Sequence, residues 1–279
     1  MKRLISIELQ KIWKNKASRF LTLTYFLLLS LISVIASIKL SIFGFEISIA
    51  DQGIFNFPYI WQVNTWTALW FKLFLSIVVV SMVANEYTYG TLKQNLIDGL
   101  SKKEFIVSKF FTIVLFSVIS TIFIFVISLC LGLAFSSYTE IDIILTDLEY
   151  LIAYFVNLIG FFSFCLFVGI LIKRSAFALG FLFLWFIFEV VLEYWIFPML
   201  LRSKSLASQI IDFFPLESLS NLIKEPISRF QAYKAIESQI TQNALSKDYA
   251  VHWYELLIAL AWTVIFVLSS YKLLQKRDL

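Results

Sequence analysis

Six long apolar stretches separated by charged segments dominate this 279-residue chain and leave it few ways to fold. They run over residues 20–38, 64–84, 110–135, 150–172, 176–198 and 256–271. A helix needs about 20 mostly apolar residues to cross roughly 30 Å of hydrocarbon. Hydrophobic residues make up 60% of the chain and charged ones 15%, whereas soluble domains run near 45–50% and about 25%. A water-soluble globule of this size could not hide so much apolar surface. Disorder, collagen-like repeats and disulfide scaffolds are excluded on the same grounds. The expected fold is therefore all-α, a polytopic membrane protein with six transmembrane helices. The basic preamble before residue 20 resembles a signal peptide. However, the 19 uncharged residues from Phe20 to Ile38 exceed the roughly 7–15 of a signal core. They read as a retained helix.

Lysine and arginine counts orient the spans. Residues 1–19, the 85–109 loop, the Lys173-Arg174 turn and the tail together hold 15 bases and 5 acids. The alternate segments begin with Glu46, Asp51, Glu140, Asp142, Asp147 and Glu149 against Lys39 alone, and the 201–255 loop carries six charges of each sign. Both termini are expected to be cytoplasmic, with 201–255 an extracytoplasmic loop. Trp61, Trp66 and Trp70 fit an outer aromatic belt.

Two cytoplasmic segments stand out. Along residues 1–19, Ile5, Leu9, Ile12 and Trp13 share one helical face while Arg3, Lys11 and Lys14 point elsewhere. That is the pattern of a basic amphipathic helix lying in the headgroup plane, and also of a plain positive-inside anchor. In the 85–109 loop, Thr91 followed by Gln94 suggests a capping box, with a helix starting at Leu92. Leu92, Leu96 and Ile97 form its apolar stripe and Gly99 its stop. Ser101 with Glu104 forms a second capping box that opens the third span. A short capped helix between two spans is suited to meeting a partner and passing its motion inward.

The ordered series Glu86, Gly90-Thr91-Leu92, Leu96, Gly99-x-Ser101-Lys102-Lys103 and Lys109 resembles the ABC-2 type permeases, membrane subunits of bacterial ABC exporters. The motif covers about 25 residues, while the layout resembles that family along the whole chain. Gly99 stands where the family often has proline. The resemblance implies a permease forming its path as a dimer, with a second copy or a paralogue, in the inner membrane. It makes Leu92–Asp98 the coupling helix that docks on a cytoplasmic ATPase and Ile5–Lys16 the connecting helix beside it. Glu86, Gly90, Thr91, Leu92, Leu96, Ile97 and Gly99 are then the coupling residues, with Glu86 bonded inside that unit.

The chain has no GxxxxGK[ST] phosphate loop, so ATP and magnesium belong to the partner and the chain itself is expected to be non-catalytic, with no bound cofactor. Neither a metal site nor a nucleic-acid partner is expected. His252 is the lone histidine, and Cys130 and Cys165 sit in apolar runs without CxxC spacing. Lys72 lies 14 residues before Glu86, and Glu189 lies 15 after Arg174. At 1.5 Å per residue both sit about 21–22 Å into the membrane, where they could pair or else snorkel to the outer interface. Ile210, Phe213, Phe214 and Leu216 flank Pro215, and a stripe through Ile227, Phe230, Tyr233, Ile236 and Ile240 suggests a helix on the outer side. The alternative is a stand-alone secondary transporter or channel, which would carry more ionisable residues at mid-membrane and often an internal repeat.

Overall fold

The computed structural model describes residues 2–37, 39–42, 45–48, 53–229 and 248–277. Among the described residues, one small hairpin is the only strand structure and the other regular elements are helices. Helix α1 (Lys2–Lys14) breaks at Asn15, whose Oδ1 accepts from the backbone N–H groups of Ala17 and Ser18 at 3.0 and 3.2 Å. A side-chain oxygen that fills the orphan donors of a first turn starts a new helix. Helix α2 (Lys16–Ser37) follows. The hairpin pairs β1 (Lys39–Ile42) with β2 (Phe45–Ser48), antiparallel, with Lys39 opposite Ser48 and Ile42 opposite Phe45.

Helix α3 (Tyr59–Thr88) extends beyond the apolar run 64–84 at both ends. Helix α4 (Thr91–Ile97) is set off by Gly90 and Gly99, at φ +68° and +99°. Left-handed backbone of this kind carries little strain only in glycine, and it lets the chain turn sharply on either side of a two-turn helix. Helix α5 (Lys102–Phe135) opens with the expected box: the Ser101 hydroxyl accepts from the Glu104 N–H at 3.1 Å, and the Glu104 carboxylate accepts from the Ser101 N–H at 2.9 Å.

After α6 (Ile141–Leu145) comes α7 (Glu149–Ile172), the central helix, packed by α3, α5, α8 (Ser175–Val191) and α12 (Trp253–Gln275). Helix α8 widens into a π turn over Leu192–Ile196 and continues as α9 (Phe197–Leu201). Pro198 explains the widening: it lacks an N–H, and its ring excludes the carbonyl one turn earlier. Helix α10 (Lys204–Ile211) folds back on α9 and the π turn, and α11 (Pro215–Ser220) packs against α7, α8 and α12. A 3₁₀ turn covers Ile227–Arg229. The helical stripe expected through Phe230, Tyr233, Ile236 and Ile240 falls outside the described residues.

Five helical runs among the described residues are long and apolar enough to cross a membrane: Tyr59–Thr88, Lys102–Phe135, Ile141–Ile172, Ser175–Leu201 and Trp253–Gln275. The outward side of α8 shows why lipid is the solvent. Phe177, Phe183, Phe186 and Phe188 are all exposed there, a patch no soluble monomer presents to water. Between helices, small polar contacts replace part of the missing hydrophobic drive. Asn64 donates to Ser128 at 2.9 Å, and the Tyr25 and Tyr154 hydroxyls meet at 2.6 Å. Trp61 departs from the aromatic belt expected of it: it is wholly buried, with its indole N–H on the Ile144 carbonyl at 3.0 Å. Trp70 is the exposed member of that trio.

Candidate functional site

At the end of the bundle where α4 lies, one carboxylate gathers four donors. Glu86, on the last turn of α3, is 3% exposed at its side chain. Its Oε1 accepts from Lys109 of α5 at 2.9 Å and from Lys11 of α1 at 2.7 Å. Its Oε2 accepts from the Thr91 hydroxyl at 2.5 Å and the Asn95 amide at 3.5 Å, both on α4. Lys109 in turn holds Glu8 of α1 at 2.5 Å and the Met82 carbonyl at 3.4 Å, and its side chain is fully buried. Lys11 lies 3.5 Å from Glu8. Two lysines and two glutamates thus tie α1, α3 and α5 together, and Thr91 and Asn95 add α4.

The electrostatics follow from burial. A carboxylate on the last turn of a helix opposes the helix dipole, so Glu86 depends on its cations. At Lys11, half-burial works against the charged form, but the hydrogen bond to Glu86 and the nearby Glu8 outweigh it and raise the ammonium above its ordinary value.

The coupling residues expected from sequence divide by direction. Leu92 is 1% exposed and holds α4 to the core, and Leu96 is partly buried against it. Ile97 is 74% exposed and points away from the protein. Thr91 does not form the expected capping box with Gln94: it is the first residue of α4, the N-cap position is Gly90, and the hydroxyl turns to Glu86. The hydroxyl donates to an ionised carboxylate, a charge-assisted bond stronger than a neutral one. On α1, Ile12 is buried, Ile5 and Leu9 are partly so, and Trp13 is 54% exposed.

Three participants were not singled out by sequence: Glu8, Lys11 and Asn95. Glu8 did leave a trace, as the one acid among the six bases of residues 1–19. The C-terminal segment also reaches this end. Lys102 donates to the Arg277 carbonyl at 2.9 Å, while the Arg277 guanidinium holds the Ile170 and Leu171 carbonyls at the end of α7.

The other expected contact, Lys72 with Glu189, does not form. Lys72 donates to Asn157 Oδ1 at 3.0 Å and sits 4.4 Å from the centre of the Phe161 ring, both on α7. Glu189 accepts from the Trp185 indole at 2.6 Å and from the Leu216 and Glu217 N–H groups at 3.0 Å. The expected pairing rested on helical rise alone. What overrides it is that α11 presents the free N–H groups of its first turn to Glu189, while the central helix offers Lys72 a nearer amide.

The profile of the ABC-2 family transporter proteins matches residues 66–279, more than half of the chain. The chain belongs to the ABC-2 transporter family. Its matched region holds α4, α5 and all but the beginning of α3, whereas Glu8 and Lys11 lie before it. The ABC-2 chain is also 34% identical over 86 residues to the uncharacterized protein YhcI of Bacillus subtilis strain 168, a match covering 31% of this chain and 27% of that protein. Membership makes this a membrane transport component, an ABC permease with several membrane-spanning helices.

Proposed function

We propose that this permease is the membrane subunit of an ATP-driven exporter, coupled through α4 to a separate cytoplasmic ATPase that binds ATP and magnesium. In this reading the chain crosses the inner membrane six times, with α2 the first span and both termini cytoplasmic. Its own role is non-catalytic. The observation that carries the reading is the Glu86 cluster. Because Thr91 and Asn95 of α4 share one carboxylate with Lys11 and Lys109, a push on α4 is transmitted to α1, α3 and α5 together. Ile97, exposed at the far end of the same helix, is the side chain placed to receive the push. Closure of the ATPases on ATP would then switch the path from inward to outward access.

The path itself is formed by two copies, or by this chain with a paralogue. Ala176 and Gly180 support that arrangement: both face outward from α8, and open space lies beside Gly180.

The test is Ile97→Asp in the reconstituted complex. The variant should retain the parent's melting temperature, because the side chain touches little of its own protein, and should lose transport-linked ATPase stimulation. Unchanged stimulation would contradict the assignment of α4 as the docking element.

A further inference from the structure

Over residues 16–31, helix α2 has one side left exposed by the other described residues. Phe20, Leu23, Leu27 and Leu31 are exposed along it, while Ser18, Thr22, Tyr25 and Leu29 are buried on the other. At about 100° per residue, the exposed leucines and Phe20 fall within one arc of roughly 80°, and Lys16 projects into the middle of that arc, one turn before Phe20. Arg19 lies about 40° beyond the arc's edge. Both cations are exposed, and neither forms an ion pair with a described residue. Their backbone position is set: Asn15 caps the first turn of α2, and α1 is pinned on its buried side by Glu8 and Ile12. At the end of α1, just before the elbow, the Trp13 indole is exposed, a side chain suited to headgroup depth.

A lipid-facing apolar column with two uncompensated cations at its base has the charge and shape of a single phospholipid. We propose that the α1–α2 elbow binds an anionic phospholipid, with Lys16 and Arg19 on its headgroup phosphate and Phe20, Leu23, Leu27 and Leu31 along an acyl chain. The occupant is an anionic lipid rather than a soluble phosphate because the cations sit at the foot of an apolar stripe that a soluble phosphate would leave uncovered and an acyl chain would cover. Since α1 shares its charges with Glu86 and α4, such a lipid would also brace the unit that carries α4.

The test needs no ATPase, so its outcome is independent of the exporter reading. The full chain is purified into nanodiscs of phosphatidylcholine alone, or of phosphatidylcholine mixed with phosphatidylglycerol. Retained lipid is counted by native mass spectrometry and melting is followed in parallel. Phosphatidylglycerol should be retained preferentially and should raise the melting temperature. At about 1 kcal/mol for each cation near an anionic headgroup, Lys16→Gln with Arg19→Gln should reduce that preference about 30-fold. Lys93→Gln with Lys103→Gln, removing two exposed cations away from the stripe, should leave it unchanged. If the glutamine pair fails to fold, the swap Lys16→Arg with Arg19→Lys provides the second arm and should keep the preference. Equal retention of the two lipids by the parent chain would overturn the proposal. So would a full preference in the glutamine pair, or equal stabilisation by inorganic phosphate in phosphatidylcholine discs.

Discussion

Replacing Lys109 by methionine should be among the most damaging single changes at the α4 end, and its size follows from burial. The Lys109 ammonium is fully buried between Glu8 at 2.5 Å and Glu86 at 2.9 Å. Methionine fills similar space but leaves two carboxylates, 7% and 3% exposed, with less compensation. Removing one partner of a buried ion pair costs about 3–5 kcal/mol. Lys11 touches the same two carboxylates, but its side chain is 41% exposed. Exposed pairs are typically worth about 0–1 kcal/mol, because water and salt screen them. At roughly 2–4 °C per kcal/mol for a chain of this general size, Lys109→Met should lower the apparent melting temperature by about 6–20 °C and Lys11→Met by no more than about 4 °C. The assay is thermal unfolding in one detergent at one scan rate, because melting of such proteins is commonly irreversible and rate-dependent. Adding Glu8→Gln and Glu86→Gln to Lys109→Met should recover part of the loss, since the uncompensated charge is then gone. Equal melting of the two single variants would refute the reasoning, because it rests on their difference in burial.

Further outcomes follow from other contacts. Glu217 is pushed up to about 7 by burial, with Glu193, Asp212 and Glu189 facing it. A carboxyl raised in the folded state contributes stability at low pH that is lost as pH climbs from about 4.5 toward 7. Glu217→Gln should therefore melt higher than the parent at pH 8, and the two should converge at pH 4. At Gly132, an added methyl would lie 2.2 Å from the buried Phe57 ring, so Gly132→Ala should cost roughly 1–3 kcal/mol from overpacking. Pairing it with Phe57→Leu should recover part of that loss in the same melting assay. Asn157→Leu removes the acceptor for Lys72 and the donor to the Leu219 carbonyl, and should lower the melting temperature more than Asn157→Gln.

What could be read from the sequence here was local. The Ser101–Glu104 box, the glycines around α4 and the apolar runs each depend on neighbours within a few residues, and the described residues contain the box, the glycines and five of the six runs as spanning-length helices. The resemblance that marked Glu86 as a bonded residue rested on an ordered motif in one loop, which is likewise local. The misjudged features depend on how helices are rotated and ordered. Thr91 has the spacing of a cap but faces a buried carboxylate contributed by another helix. Lys72 and Glu189 match by residue count along their helices, yet rise along a helix says nothing of azimuth, and each finds a partner elsewhere. Trp61 falls at the position of a belt residue but turns inward onto α6. The β1–β2 hairpin is too short for its alternation to stand out against the apolar background. Glu8 was visible as an isolated acid, but its partner, Lys109, lies 101 residues away.

The central claim is that α4 presents Ile97 to an ATPase subunit, and site-directed cross-linking from that position tests it most directly. In a background carrying Cys130→Ser and Cys165→Ala, Ile97→Cys would be reacted with a short bifunctional reagent in native membranes, alongside Ile141→Cys at the opposite end of the bundle. Position 97 should yield a stoichiometric adduct to a polypeptide carrying a phosphate-loop motif, lost on Thr91→Val with Asn95→Leu, and position 141 should yield none. A folded, membrane-inserted Ile97→Cys chain that yields no ATPase adduct, or the same adduct from both positions, would contradict it.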